Sequence, residues 1–148
     1  MPASEKPSTP PDRPLRPRSP VPAPQHTQTK RGDVLTAISD GLVALQKEFY
    51  GKGPTQAKSY YEDDLVVCIL RGGFTRVEET LLNGGRGEAV LRQRREFQAM
   101  MRDRYEAVVE HATGRPVIAF MSGSQQDPDM LCEVFVLGAP QDRGADRP

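Results

Sequence analysis

The sequence has no tryptophan, only two cysteines and no apolar run of 18 residues. A helix that crosses a bilayer needs such a run, so a membrane-spanning protein is excluded. Two cysteines are too few for the disulfide framework of a small secreted module. Proline stands where a secretory signal needs an apolar block, so we do not expect export by that route. The 20 basic and 20 acidic residues cancel, which excludes a strongly basic nucleic-acid packer.

Proline is abundant but unevenly placed, because nine of the 14 prolines fall within the first 24 residues. Such a segment lacks the apolar surface needed to offset chain entropy. We therefore predict a disordered proline-rich leader at 1–30, one folded domain at 31–137, and a flexible polar tail at 138–148. The length of 148 residues agrees with a single domain.

Hydrophobic spacing and turn residues divide the domain into seven elements. We expect helices at 33–50, 76–82 and 87–112, and strands at 57–61, 65–70, 117–121 and 131–137. Two hairpins of this kind join into one mainly antiparallel sheet with the helices packed on one face. The predicted fold is a two-layer α+β domain with the order α-β-β-α-α-β-β and a four-stranded sheet.

The three predicted helices carry different local signals. Asp33 is the expected N-cap of the first helix, and Thr75 with Glu78 forms a capping box at the start of the second. The expected core side chains of the long helix are Val90, Phe97, Met101, Val108 and Ala112.

Arginines crowd the predicted long helix, at Arg92, Arg94, Arg95, Arg102 and Arg104. The domain nevertheless holds 13 basic and 16 acidic residues, a net charge of −3 that disfavours a nucleic-acid partner. Spacings of four residues, such as that from Arg102 to Glu106, indicate ion pairs on a solvated helix face. The acidic turn with Asp127 and Asp129 is likewise interpreted as solvated.

The segment 65–70 is apolar at every position, without the alternation of a half-exposed strand. A strand of this kind is typical of a sheet that is covered on both faces. The helices of so small a domain cover one face only. A second copy of the chain is the simplest cover for the other face, so we predict a homodimer.

One candidate binding site combines Arg71, at the end of this strand, with Gly85 and Arg86, at the start of the long helix. Two converging guanidinium groups and free backbone amides would bind a small anion. The alternative interpretations are structural. The glycines then form a connector with left-handed backbone angles, and Arg71 pairs with Glu78 or Glu79.

No constellation for catalysis, metal or cofactor binding is evident. The glycine clusters lack the order of a phosphate-binding loop, and Cys68 and Cys132 lack the spacing of zinc ligands. A thiolate site at one of these cysteines remains an open alternative. Otherwise we expect a non-enzymatic protein without a cofactor.

Several sequence blocks are distributed along the domain, at Phe49 to Pro54, the hairpin ending in Leu65-Val66-Val67, Gly73-Phe74-Thr75, Glu78, Thr80-Leu81-Leu82, Gly85-Arg86, Thr113-Gly114 and Glu133 to Leu137. Together these blocks resemble the MpsC family of bacterial proteins. The resemblance covers residues 31–137.

That family is associated with a Na⁺-translocating, membrane-potential-generating system. The resemblance implies a cytoplasmic accessory or regulatory domain that associates with other proteins, a membrane-transport subunit among them, while other subunits cross the membrane. The alternative is a sensor of a small anion or metabolite at Arg71 and Arg86.

Overall fold

The computed structural model describes Ser4, the backbone of residues 26–29, and residues 30–140. Its helices are α1 (His26–Tyr50), α2 (Arg76–Asn83) and α3 (Gly87–Thr113). Its strands are β1 (Gln56–Glu62), β2 (Leu65–Arg71), β3 (Val117–Gln125) and β4 (Met130–Leu137). The predicted leader as far as residue 25, Ser4 apart, and the tail from residue 141 lie outside the described residues.

The α+β class and the order of elements are confirmed. All strand pairs are antiparallel, and the four strands lie in the order β1-β2-β4-β3. The last strand therefore pairs with β2 and puts β3 at the edge. The turn at Asp63 and Asp64 closes the first hairpin, with Asp63 at a φ of 50°.

The first helix begins seven residues before the predicted N-cap, so Asp33 lies inside it. Residues 26–30, which composition assigned to the leader, are helical. The reason is local, because no proline follows Pro24 until the helix has ended. Gly32 and Gly41 each cost about 1 kcal/mol relative to alanine, which is too little to end a helix that packs on a core.

Strands β3 and β4 are longer than the sequence predicted, because the second hairpin continues pairing as far as Gln125 and Met130. The polar residues at 122–125, which the sequence assigned to a loop, are therefore part of β3. Small polar side chains are acceptable there because β3 is an edge strand.

The core lies between the helices and one face of the sheet. Alternate residues of the two central strands are buried in it, including Val66 and Leu70 of β2 and Phe135 of β4. From α3 the buried side chains are Val90, Arg94, Gln98, Met101, Tyr105 and Val109. The predicted core face was thus only partly right: Phe97, Val108 and Ala112 lie at its margin.

Candidate functional site

A buried ion-pair cluster joins α2, α3 and the β3–β4 turn. The Arg94 guanidinium donates through Nε to Glu78 Oε2 at 2.8 Å and through Nη1 to Asp129 Oδ1 at 3.1 Å. Asp129 Oδ2 accepts a hydrogen bond from the backbone N–H of Phe74 at 3.0 Å. The Phe74 ring lies under the guanidinium, 4.4 Å from its carbon to the ring centroid.

Glu78 has partners at both of its carboxylate oxygens. Tyr50 Oη donates to Oε2 at 2.5 Å, and the Thr75 backbone N–H donates to Oε1 at 3.0 Å. The Thr75 hydroxyl accepts from the Glu78 N–H, so the predicted capping box is confirmed. Burial alone would raise the pKa of Glu78, but the hydrogen bonds from Arg94 and Tyr50 outweigh it and lower that pKa.

This cluster corrects two sequence interpretations. Arg94 was assigned to a solvated helix face and Asp129 to a solvated turn, yet the structure pairs a buried Arg94 with a partly buried Asp129. Glu78 is therefore already occupied by Arg94 and is not the partner of Arg71. Of the predicted four-residue pairs on α3, the one between Arg102 and Glu106 is present within the described residues, at 2.9 Å.

Two tight turns pack against each other beside the cluster. Lys52 Nζ donates to the Phe74 carbonyl oxygen at 3.0 Å. Gly73 has a φ of 103°, and a Cβ atom there would lie 3.3 Å from the Pro54 Cα. Glycine is therefore required both by the backbone angle and by the close approach. The blocks at 49–54 and 73–78, which carry the family resemblance, meet at this point.

Parts of the predicted anion site, namely Arg71 and the amides of Gly85 and Arg86, already make contacts within the chain. Arg71 is exposed, with Nη1 lying 3.5 Å from Met130 Sδ, and Arg86 is exposed at the N-cap of α3. The amides of Gly85 and Arg86 already donate to the carbonyls of Leu82 and Leu81. The Ala89 amide donates to the Arg86 carbonyl oxygen at 3.1 Å, which leaves the amides of Gly87 and Glu88 for an anion. The assignment to Arg71, Gly85 and Arg86 stays a prediction.

The two cysteines face opposite sides of the sheet. Cys68 pairs in register with Glu133 in the core, whereas Cys132 pairs with Ile69 on the outer face. Burial raises the pKa of Cys68 to about 11, so its thiol stays protonated near neutral pH. Among the described residues no group of three or more metal-ligating side chains comes together.

The outer face of the sheet is apolar and carries no covering element from the described part of the chain. Its central row crosses all four strands through Tyr60, Val67, Val134 and Met121. The flanking rows are Lys58, Ile69, Cys132 and Gly123 on one side and Glu62, Leu65, Val136 and Ala119 on the other. We call these three rows the open sheet face.

Comparison with known protein families assigns the chain to one of them. The sequence model of the family described as "Na+-translocating membrane potential-generating system (MpsC)" matches residues 30–139. The chain belongs to the MpsC family. The match spans all four strands, α2, α3 and most of α1. A search of curated proteins and a search of solved structures give no match.

The description of the family names a system that generates a membrane potential. The described residues contain no helix that is long and apolar enough to cross a membrane. The family assignment identifies no catalytic or binding residue. The features that stand out in the structure are the buried ion-pair cluster and the open sheet face.

Proposed function

We propose that this chain is a non-enzymatic accessory domain of a Na⁺-translocating, membrane-potential-generating system, and that it acts by protein association through the open sheet face. The family assignment supports the system. The exposed apolar surface of the sheet is the observation that carries the association. A second copy of the chain is the occupant that we propose for this face.

The open sheet face exposes several large apolar side chains to water. Tyr60, Leu65 and Met121 are between 43 and 58 % exposed, and they surround the half-buried Val67 and Val134. Contiguous apolar patches of this kind are typical of interaction sites. By contrast, the side chains of β2 and β4 that point to the opposite face are buried beneath the helices.

The pattern of the face is self-complementary. A two-fold axis that runs along the central row would bring two copies face to face. Each flanking row would then lie over the opposite flanking row of the partner copy. Lys58 would then oppose Glu62, and Ile69 would oppose Leu65. Lys58 Nζ lies 5.1 Å from the centroid of the Tyr60 ring, on the same outer face. Face-to-face packing of twisted sheets is a common arrangement, with strand directions within about 30°.

Sedimentation velocity of the full chain and of Tyr60→Glu/Met121→Glu tests this association. We expect the unaltered chain to be a dimer at micromolar concentration and the variant to be a monomer, because each substitution buries a charge in an apolar interface. Val77→Glu/Met100→Glu is the matched control. It adds the same charge at apolar residues that are 62 and 75 % exposed on α2 and α3.

The ion pair across the axis allows a charge-reversal test. Lys58→Glu and Glu62→Lys should each weaken the dimer, and the double variant should restore it. A monomeric unaltered chain, or dissociation caused equally by the Val77 and Met100 control, would rule out the second copy. Affinity capture from the native host with the Tyr60/Met121 variant as control then tests the link to a membrane-transport subunit.

A further inference from the structure

A groove separates α3 from the edge strand β3 on the helical side of the sheet. Its volume is about 520 Å³. One wall presents Arg95 and Arg102 from α3, and the other presents Ser122 and Ser124 from β3, with Phe120 as an aromatic surface. Groove volumes of about 300–1,000 Å³ are typical of small-molecule sites.

The two arginines are available to a ligand in different degrees. Arg95 is exposed and makes no ion pair within the described residues. Arg102 uses Nε to contact Glu106, and its guanidinium carbon lies 5.9 Å from the Phe120 ring centroid. Arg94 also lines the groove, but its charge is already satisfied by Glu78 and Asp129.

The base of the groove holds a buried polar group that lacks a partner. Gln98 is 7 % exposed and lines the groove, and its Oε1 atom has no hydrogen-bond partner among the described residues. An unsatisfied buried carbonyl of this kind carries a desolvation cost that no hydrogen bond offsets. A ligand that carries a hydrogen-bond donor would remove this cost.

We propose that the groove between α3 and β3 binds a small organic acid whose acidic group pairs with Arg95 and Arg102. The apolar body of the ligand packs on Leu91 and Phe120. A hydroxyl or amide group on the ligand donates to Gln98 Oε1 once the side-chain amide rotates to turn this atom, which is shielded from solvent in the unliganded chain, towards the groove. This site is separate from the open sheet face and does not depend on dimerisation.

Isothermal titration calorimetry of the full chain tests the three contacts with matched probes. We use 4-hydroxybenzoate, which has an acid, an aromatic body and a donor. Benzoate lacks the donor, phenol lacks the acid, and inorganic phosphate lacks the body. We expect 4-hydroxybenzoate to bind saturably and more tightly than each of the other three.

Arg95→Gln/Arg102→Gln should weaken binding of 4-hydroxybenzoate about tenfold or more, since it removes charge-assisted hydrogen bonds. Both side chains are exposed, so the variant should fold. Arg71→Gln/Arg86→Gln is the control, because it removes the same charge at the other candidate anion site. The affinity of this control variant for 4-hydroxybenzoate should be unchanged.

Gln98→Met separates a binding role from a structural one. It should keep the affinity for benzoate, abolish the preference for 4-hydroxybenzoate, and leave the melting temperature unchanged or higher. Absence of saturable binding would overturn the proposal, as would equal binding by phosphate alone. A loss of binding in the Arg71/Arg86 variant instead of the Arg95/Arg102 variant would overturn it as well.

Discussion

Two glutamates of this domain, Glu78 and Glu133, are both completely buried, yet their surroundings differ in every other respect. Glu78 accepts hydrogen bonds from Arg94, Tyr50 and the Thr75 backbone, and its pKa is lowered. Neither carboxylate oxygen of Glu133 has a partner at normal hydrogen-bond distance among the described residues, and burial raises its pKa to about 8 although the nearby Ser122 side chain acts in the opposite direction.

The comparison shows that burial alone does not determine whether a carboxyl group is charged. The hydrogen-bond donors around the group decide it. Glu78 lies where two helices and a turn converge, so an arginine, a phenol and a backbone amide all reach it. Glu133 lies in the middle of β4, between Cys68 and Ser122 in the register. Its backbone groups are used by the sheet, and its side chain enters the core, where burial raises the pKa of Tyr105 and of Cys68 and the charge of Glu133 would raise them further.

The largest effect that we expect follows from removing the partner of Glu78. Arg94→Met leaves a buried, unpaired carboxylate and should lower the free energy of unfolding by about 3–5 kcal/mol. Urea denaturation followed by circular dichroism at pH 7 measures the loss. Arg102→Met is the control, because it breaks an exposed pair worth at most about 1 kcal/mol. Equal losses in the two variants would show that the cluster contributes no more than a surface ion pair.

Glu133 should make the domain less stable as the pH rises. In the unfolded chain this carboxyl group loses its proton near its ordinary pKa, whereas the folded protein retains the proton up to about pH 8. The folded state therefore binds more protons between roughly pH 4.5 and 8, and the free energy of unfolding falls across that window, by up to about 4 kcal/mol.

Glu133→Gln keeps the shape and removes this ionisation. We expect the variant to be more stable than the unaltered chain at pH 8, with the difference shrinking towards pH 5, in thermal melts monitored by circular dichroism. Glu106→Gln, on the helix surface, controls for the change in net charge. A pH-independent difference would mean that Glu133 is ionised in the folded protein.

The smallest expected effect comes from removing a single hydrogen-bond donor to Glu78. Tyr50→Phe removes one hydrogen bond to the carboxylate and should cost about 1–2 kcal/mol. Because Tyr50 helps to lower the pKa of Glu78, the variant should also unfold at a higher pH during acid titration. Tyr60→Phe is the matched control, since Tyr60 lies on the outer face. No difference between these two phenylalanine variants would contradict the role assigned to Tyr50.

Local signals were sufficient to predict several features. The three-residue spacing of Thr75 and Glu78 predicted the capping box, because that motif closes within one helical turn. Alternation of turn residues and apolar segments predicted the two hairpins. The unbroken apolar segment at 65–70 predicted that the helices of the chain cover only one face of β2, and the other face lies within the open sheet face.

The burial of Arg94 could not be predicted with the rules used, although its spacing contained a signal. The buried residues of α3 follow one another at intervals of 4, 4, 3, 4 and 4 from Val90 to Val109, which is a regular helical stripe. Two of its members, Arg94 and Gln98, are polar, so a search for apolar side chains alone selected a shifted face. The partner Asp129 lies 35 residues away from Arg94.

The sequence by itself determined the elements and their order, since these depend on contacts between near neighbours. The tertiary structure alone decided that Glu78 is paired and Glu133 is not, that Cys68 and Cys132 face opposite sides, and that Gln98 borders a groove. These outcomes depend on which distant side chains the fold brings within hydrogen-bonding distance, and no local pattern along the chain encodes that distance.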